Sequence, residues 1–424
     1  MNISNFLKKR AKYCLIFFVI AFFVFYHNLS FAIPCNPFST GQYSPSLYID
    51  SSGNPHVAWE QVLIESVDCN QNDIYYTHSN DQGVSFLPAT ADIDRIDFNQ
   101  ARVSLAIDKN DNPAVVWVDT REGEKYIYFS RSYDKGKTFT PGIRVDSSSE
   151  RQDRPFLLFD AEGNPVIVWI KVHYIAPNQN PVGYIYFTKS IDGGLTFLPS
   201  VCVNCKSRAY QGWPSLSIDS HNNPLIITHY YRYDKKCWNA YFIKSTNQGS
   251  SFEKPVIVEN TSRDQMVAGK NVLVVDSQDN PYIALMEKRS GYWNIRLVRS
   301  LDGGLSFQPS RPIDRNASIQ LFPSLGIDSN DNLYIVWTDK RTGTENVYFT
   351  MSEDKGMTFR QSMIIDQKNT LQNRPSLYVD FNTGIPHVTW SDIRQGKNYI
   401  YYTKSIDNGI SFLPSIPVYA YPLK

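Results

Sequence analysis

The chain carries almost no excess of charge of either sign. Its 42 lysines and arginines nearly balance 41 aspartates and glutamates, which leaves a net charge of +1 over 424 residues. A protein that binds nucleic acid needs a clustered basic surface that displaces counterions from phosphates. The composition therefore argues against nucleic acid as a partner.

Long apolar runs are also lacking, apart from one near the N-terminus. The run "YCLIFFVIAFFVFY", residues 13–26, has 14 residues, whereas a membrane-spanning helix needs about 20. Four basic residues precede the run, and Ser30-x-Ala32 follows it. This pattern predicts a signal peptide over residues 1–32, so that a membrane is a partner only through an uncleaved leader. The domain 33–424 is then exported, to the periplasm, the cell surface or the medium.

Cysteine is scarce, and its number is odd once the leader is removed. Five cysteines remain in the exported part: Cys35, Cys69, Cys202, Cys205 and Cys237. Export permits disulfides and favours them over a zinc site. An odd count leaves one thiol over.

One short polar phrase, in contrast, is abundant. The pattern S-x-D-x-G-x-[ST]-F occurs seven times, at spacings of 52 to 58 residues, and one copy has asparagine at its third position. That third position is occupied by Asp81, Asp134, Asp192, Asn247, Asp302, Asp354 and Asp407. A period of this length is typical of a repeat architecture.

Each copy of the phrase belongs to a unit of four short strands. Three runs rich in β-branched and aromatic residues precede the phrase, and one short run such as "FLPSIPV" follows it. Tight turns separate the runs, and helical periodicity is absent. Seven such units predict an all-β fold, a seven-bladed β-propeller of four-stranded antiparallel blades over roughly residues 42–423. The last unit carries its own fourth strand, which predicts a simple closure.

The phrase itself has the composition of a hairpin turn between strands three and four. Glycine supplies a left-handed backbone position, while the aspartate accepts hydrogen bonds from the amides and hydroxyls of its own turn. We therefore expect the seven phrases to be structural, with no metal and no cofactor.

These phrases resemble the Asp-box, or BNR, repeat of the sialidase-like propellers. The resemblance implies that the phrases lie on the face opposite the ligand site. Sialidases use three arginines, a tyrosine nucleophile with a glutamate, and an aspartic acid, and the first arginine belongs to an R-I-P motif. The matching stretch here is Tyr43-Ser44-Pro45, which lacks the arginine. Sialidases also have six blades, so the resemblance assigns no catalytic residue.

Two repeated patterns fall at the opposite, upper end of the units. Loops after strand two read Asp-x-Arg-x-Gly at Asp119, Asp339 and Asp392, and a glutamine precedes the first strand of every unit. Either set could form a functional ring, but repetition favours a structural ion pair for the loops and backbone bonds for the glutamines. Arg102, Arg154 and Arg374 also flank first strands, next to the R-I-P position.

Departures from the repeat are the better guide to a site. Five units end strand two in tryptophan, whereas the fourth has Thr228 and continues "HYYRYDKKCW". Aromatic platforms with nearby polar groups suit a carbohydrate or a peptide. The predicted ligand-binding residues on the upper face are Lys171, His173, Tyr210, Trp213, His229, Tyr230, Tyr231, Arg232 and Trp238. The alternative is a long loop that packs on itself.

The cysteines fall in two groups on the same upper face. We expect Cys35–Cys69 in the first unit, and Cys237 bonded to Cys205 or Cys202 in the fourth. A local Cys202–Cys205 bridge is the alternative.

Three functions are compatible with these features. The leading hypothesis is a non-catalytic, monomeric propeller that binds a glycan or a protein. The alternatives are an exo-sialidase-type glycoside hydrolase and a scaffold propeller of an envelope complex.

Overall fold

The computed structural model describes residues 41–62, 72–89, 93–94, 98–173, 182–205, 211–368, 370–394 and 396–419. The predicted all-β fold is confirmed, since these residues form antiparallel strands with tight turns and include no helix. No helix in the described ranges could therefore cross a membrane. Along the chain the strands fall into consecutive groups, here numbered as units 1 to 7, and the strands of units 7 and 1 belong to one hydrogen-bonded sheet.

The first three strands of each unit form an antiparallel meander. The first strands are β1 (Gly41–Ile49), β4 (Gln100–Ile107), β8 (Arg151–Phe159), β12 (Gln211–Ile218), the pair β16 (Gln265–Met266) and β17 (Leu273–Val275), β21 (Gln320–Ile327) and β25 (Leu371–Val379). The second strands are β2 (Pro55–Val62), β5 (Pro113–Asp119), β9 (Pro165–His173), β13 (Pro224–Arg232), β18 (Pro281–Arg289), β22 (Leu333–Asp339) and β26 (Pro386–Arg394). The third strands are β3 (Asn72–His78), β6 (Tyr126–Arg131), β10 (Val182–Lys189), β14 (Cys237–Lys244), β19 (Tyr292–Arg299), β23 (Asn346–Ser352) and β27 (Lys397–Lys404).

The fourth strands are short and pair with the third. They are β7 (Ile143–Arg144), β11 (Val201–Cys202), β15 (Val256–Ile257), β20 (Arg311–Pro312), β24 (Met363–Ile364) and β28 (Ile416–Pro417). In unit 1 the amide of Ile93 donates to the carbonyl of Ile74, as the amide of Val145 does to Ile127 in unit 2. The last unit thus contains its own fourth strand, as expected.

The hydrophobic core is divided among the interfaces between units. Within the described residues there are seven apolar clusters, and each combines the facing sides of two successive units. The seventh joins Leu47 and Trp59 of unit 1 with Ile400 and Tyr402 of unit 7. All five tryptophans that end a second strand are fully buried. Burial of such large side chains, at about 25 cal/mol per Å² of apolar surface, makes these interfaces the main source of stability.

The glutamines at the start of the first strands join neighbouring units. Each is fully buried, and its side-chain oxygen accepts the amide of a third-strand residue in the preceding unit, as Gln152 does from Ile127 at 2.9 Å. The structural interpretation of these residues is therefore confirmed. The seven bonds run from Ile74, Ile127, Ile185, Ala240, Ile295, Val347 and Ile400 to Gln100, Gln152, Gln211, Gln265, Gln320, Gln372 and Gln42. The last of them links unit 7 to unit 1.

The recurrent turns close the lower end of each unit, between strands three and four. In the first, Asp81 accepts the Ser79 hydroxyl, the Ser85 amide and the Ser85 hydroxyl, at 2.6, 2.9 and 2.6 Å. Gly83 has a φ of 81°, and a Cβ there would lie 2.5 Å from the Tyr402 hydroxyl of unit 7. Asn247 makes three corresponding bonds: its Oδ1 accepts the Ser245 hydroxyl and the Ser251 amide, and its Nδ2 donates to the Ser251 hydroxyl. The predicted turn chemistry is thus present even in the copy that lacks a carboxylate.

Candidate functional site

A ring of seven residues, one from each first strand, surrounds a single cavity. Each lies six positions before the aspartate that begins the turn between strands one and two, as Arg102 precedes Asp108. The members of this central ring are Ser44, Arg102, Arg154, Trp213, Lys270, Phe322 and Arg374. The ring thus combines four cationic side chains, two aromatic ones and a hydroxyl.

A bulge in the first strand turns these side chains out of the sheet. In β4, for example, the pairing shifts between Ala101 and Ser104, so that Arg102 and Val103 have no direct partner. In five units the residue after the ring position is proline, which a bulge tolerates because no ladder bond is lost. Arg102 and Arg374 have φ values of 61° and 52°, a left-handed conformation that costs about 1–3 kcal/mol outside glycine. Strain of this kind is typical of functional positions.

Unit 5 has a longer segment before its ring residue than the other units have. Its glutamine and turn aspartate, Gln265 and Asp276, are 11 residues apart, against 8 in the other units, such as Gln100 and Asp108. The three extra residues divide the first strand into two pieces, β16 and β17. Lys270 lies in the break, and its ammonium group donates to the carbonyl of Val103 in unit 2, at 2.6 Å. The side chain therefore crosses the opening between the units.

The cavity within the ring holds about 120 Å³ and opens to solvent. Pockets that enclose a drug-sized molecule hold about 300 Å³ or more. The space therefore suits a small group, such as the acidic end of a larger ligand, rather than a whole chain segment.

Positive charge dominates the cavity. Two carboxylates lie nearby: Glu60, which lines the cavity and accepts the Arg102 amide at 3.0 Å, and Asp153, whose oxygen lies 3.9 Å from the Arg102 guanidinium. Burial alone would raise the pKa of Asp153, but Arg102 and Arg154 hold it below its usual value. Burial lowers the pKa of Lys270 to about 8; Glu60 opposes this shift, and the surrounding arginines add to it. Four cationic groups against two carboxylates leave the ring suited to an anion.

Aromatic stacking holds two of the arginines in place. The Arg154 guanidinium lies 4.0 Å from the Trp213 ring centroid, and that of Arg374 lies 5.3 Å from the Phe322 centroid. Arg374 also donates to the Ser44 hydroxyl at 3.3 Å. Carboxylates are the usual partners of the in-plane donors of a guanidinium, and stacking on an aromatic face fixes the plane of those donors. The arrangement can therefore bind an anionic group and offer a flat surface to an attached sugar.

The predicted ligand-binding residues of units 3 and 4 do not form one site. Trp213 belongs to the central ring, whereas Tyr231, Arg232 and Trp238 lie at the upper end of unit 4. There the rings of Tyr231 and Trp238 are 5.3 Å apart, and Arg232 pairs with Asp234. This group is a second, smaller aromatic surface. Tyr210 lies outside the described residues.

Three other predicted ligand-binding residues are buried among internal partners, which corrects their assignment. His229 packs on Trp238 with centroids 5.2 Å apart, and Tyr230 stacks on Tyr241 at 4.4 Å. Lys171 pairs with Asp146 at 2.9 Å. Their rings and charge therefore serve packing and ion pairing inside the fold. His173, which is partly exposed, lies 3.4 Å from Glu150.

The burial of Lys171 follows from the ion pairs that the Asp-x-Arg-x-Gly loops form in other units. In unit 2, Arg121 bridges Asp119 of its own loop and Asp94 of the preceding unit, and Asp119 accepts the Trp117 indole N–H at 2.9 Å. Units 6 and 7 repeat this pattern, with Arg341 and Arg394. These contacts support the structural interpretation of the loops. In unit 3 a lysine replaces the aspartate and reaches the carboxylate of the preceding unit directly.

The disulfide in unit 4 differs from the expected one. Cys202 is bonded to Cys205, which is the local alternative, and Cys237 is a buried free thiol whose sulfur lies 3.6 Å from the Thr261 carbonyl. The expected pairing of Cys205 or Cys202 with Cys237 is thus wrong, because Cys237 lies within β14 and faces a different neighbour. Cys35 and Cys69 lie outside the described residues.

Sequence reasoning identified only part of the ring. It named Trp213 and noted the three arginines beside the first strands, but it missed Glu60, Lys270 and Phe322. A usable signal exists for the two missed ring residues, because counting back from the turn aspartate aligns Lys270 and Phe322 with the arginines despite the insertion in unit 5. Glu60 carries no comparable signal.

Comparison with known proteins is informative at the level of fold alone. No protein-family model and no curated protein sequence matches the chain. A polysaccharide lyase of family PL25, an ulvan lyase, has a TM-score of 0.61 at 12% identity and covers 85% of this chain and 94% of its own. A protein of unknown function from Dyadobacter fermentans has a TM-score of 0.53 at 14% identity and covers 72% and 93%. An intramolecular trans-sialidase from Ruminococcus gnavus has a TM-score of 0.46 at 13% identity, with 87% and 95% covered.

Proposed function

We propose that the chain is an exported, seven-bladed β-propeller that binds an acidic saccharide at its central ring. The convergence of Arg102, Arg154, Arg374 and Lys270 on one cavity carries the proposal. Carboxylates and sulfates are the saccharide groups that a cluster of guanidiniums recognises. Trp213 and Phe322 add the apolar faces on which a sugar ring stacks.

Contacts between unit 1 and unit 7 support the proposed seven-bladed arrangement. The Gln42–Ile400 bond and the apolar cluster around Trp59 and Tyr402 repeat between these units what occurs between all others. The resemblance of the recurrent turns to Asp-boxes fits the same architecture. Cleavage after Ala32 and export remain a prediction, which N-terminal sequencing of the secreted protein tests: the mature chain should begin at Ile33.

The ulvan lyase provides a parallel but no proof. One of its structures is described as bound to -[GlcA(1-4)Rha3S]-, a saccharide with a uronate and a sulfate. At 11% identity the likeness supports the fold, and the charge of the ring in this chain carries the choice of ligand.

Calorimetry with a matched pair of ligands tests the proposal. One ligand is a glucuronate-containing tetrasaccharide, and the other is the same saccharide with its carboxyl groups reduced to hydroxymethyl groups. We expect the acidic ligand to bind at least about tenfold more tightly, because each charge-assisted hydrogen bond contributes about 1.5–3 kcal/mol. Arg154→Met should remove the difference, whereas Arg315→Met, which changes an exposed arginine outside the ring, should retain it. Equal affinity for both ligands would overturn the proposal, and binding of neither would favour a protein ligand.

A glycoside hydrolase is the second candidate. Glu60 favours it, because a carboxylate that lines a cavity beside several cations is a candidate acid or base. Release of the fluorophore from a fluorogenic sialoside, lost in Glu60→Gln, would identify the protein as an enzyme. We expect binding without turnover, because no nucleophile and acid pair is established.

A further inference from the structure

Lys270 differs from the rest of the ring in a way that anion binding alone does not require. Its position depends on three inserted residues, and its side chain spans the opening to reach the Val103 carbonyl. An arginine on the regular bulge, as in the units of Arg102 and Arg374, would supply a positive charge without an insertion. What the insertion supplies is a primary amine in the same cavity as three guanidiniums.

The surroundings of this amine are those of a nucleophilic lysine. Lys270 is partly buried, and the charged groups that face its amine are Glu60, Arg102 and Arg374, two of them positive. Desolvation and neighbouring cations both favour the neutral amine, so the pKa falls to about 8 and a useful fraction of the side chain is unprotonated near neutral pH. The neutral form is the one that attacks a carbonyl carbon.

The same cavity supplies a carboxylate site next to the amine. Arg102 and Arg374 line it together with Lys270, and the volume of about 120 Å³ admits only a small molecule. A ligand with a carboxylate adjacent to a carbonyl would place the first against the guanidiniums and the second against the amine. Among small molecules, 2-oxo acids have this arrangement.

We propose that Lys270 captures a small 2-oxo acid as an imine, at a site whose carboxylate anchor is the central ring. The inference rests on the proposed anion-binding role of that ring. The neutral amine adds to the 2-oxo carbon, so that a C–N bond forms as the carbonyl π bond opens and its oxygen takes a proton. That oxygen takes a second proton and leaves as water, while the nitrogen loses its two protons and the C=N bond forms, so that the protons gained by the oxygen equal those released by the nitrogen. Glu60, which lines the cavity, is the group available to accept and return protons.

Reductive trapping on the full chain tests the proposal. The protein is incubated with pyruvate and sodium cyanoborohydride, and the modified lysines are located by peptide mass spectrometry. We expect a 1-carboxyethyl group on Lys270 at least about tenfold faster than on Lys397, which is exposed and lies outside the ring. Hydroxyacetone, which has a carbonyl but no carboxylate, should not show this preference. Modification of Lys270 no faster than of Lys397 would overturn the proposal.

Two variants separate the roles of the amine and its anchor. Arg374→Met should slow the trapping at Lys270, because the carboxylate anchor is weakened. Lys270→Arg removes the amine, so the selective label should be lost, whereas Lys397→Arg, which lies outside the ring, should retain it. If the tetrasaccharide binds to the wild-type protein but Lys270 is not labelled, the imine proposal fails and the proposed function stands. If neither occurs, both fail.

Discussion

Each unit contributes one recurrent turn and one residue of the central ring. The turns share their residue types, whereas the ring residues share a position and differ in type. Every turn has an aspartate or asparagine bonded to the same two hydroxyl-bearing positions, and Asn247 keeps the pattern without a carboxylate. The ring has serine, arginine, tryptophan, lysine and phenylalanine on one backbone frame. A fold requirement that acts on each unit alike selects one residue type, whereas a single ligand meets each unit differently. Uniformity therefore marks structure in this chain, and variation marks the site.

The largest effect that we expect is a dependence of stability on pH, which arises near the recurrent turns and away from the central ring. His387, buried at the lower end, lies 2.7 Å from the Tyr402 hydroxyl, and burial lowers its pKa to about 3. Between pH 6.5 and 3 the unfolded chain therefore binds a proton that the folded chain does not, so the free energy of unfolding falls as the pH falls, by about 5 kcal/mol at most. The ring arginines stay charged throughout. Urea denaturation at a series of pH values measures the slope.

A matched pair of histidine variants tests that assignment. His387→Asn, which keeps an acceptor for the Tyr402 hydroxyl, should flatten the acid slope, whereas His221→Asn, at a site 78% exposed, should leave it unchanged. An identical slope in wild type and His387→Asn would contradict the account.

The next effect concerns the buried glutamines. Gln152→Leu leaves the Ile127 amide without its acceptor inside the protein, which costs about 2 kcal/mol of stability. Gln42→Leu removes the corresponding acceptor of Ile400 between units 7 and 1. It should cost a similar amount of stability if the circle of units is closed between these two. Chemical denaturation measures both. A negligible cost for Gln42→Leu alone would mean that the two ends of the chain are not joined as the other units are.

A smaller change is expected for a single residue of the ring. Arg374→Met should weaken the acidic tetrasaccharide at least about tenfold, or about 1.4 kcal/mol, since one charge-assisted contact is lost. Its thermal midpoint should stay close to that of the wild-type protein, because the group removed contacts the ring and not the core. Calorimetry and thermal unfolding of the same sample give both values. A large fall in the thermal midpoint with unchanged affinity would mean that Arg374 has a structural role, contrary to this account.

The smallest effect is expected within the turns. Hydrogen bonds from Ser300 and Ser306 hold the pKa of Asp302 at about 2. Because this pKa lies below that of the unfolded chain, the turn contributes stability above about pH 4 and loses it as the pH falls towards 2. Asp302→Asn, which copies the natural Asn247, should change the stability at pH 7 by less than about 0.5 kcal/mol and remove this acid dependence. A loss of several kcal/mol would show that the carboxylate, and not the hydrogen-bond pattern, is essential.

The sequence predicts the repeated features well because they are local or act on every unit. The spacing of the phrases indicates the units, the phrase itself specifies its turn, and the recurring glutamine indicates a structural contact. Each signal occurs several times, so chance matches are unimportant.

The site is harder to predict because it depends on which way single side chains face. Tyr230 and His229 belong to an aromatic run that is typical of a binding loop, yet they lie on opposite faces of a strand that is covered on both sides, by unit 3 at Tyr230 and by unit 5 at His229. Arg102 and Arg154 face the cavity because of a bulge, and the type of residue at their position does not predict that bulge. Lys270 is obscured by the insertion, and the bond between Cys202 and Cys205 depends on a turn that spacing alone cannot distinguish from the alternative.

One variant tests the central claim most directly: Arg102, Arg154, Lys270 and Arg374 replaced together by serine, the residue that Ser44 already places on this frame. Calorimetry against the acidic tetrasaccharide and thermal unfolding would be measured on the same preparation. We predict a folded protein with a midpoint near that of the wild type and no detectable binding. A protein that no longer folds, or one that still binds the acidic ligand, would contradict the assignment of the ring to ligand binding.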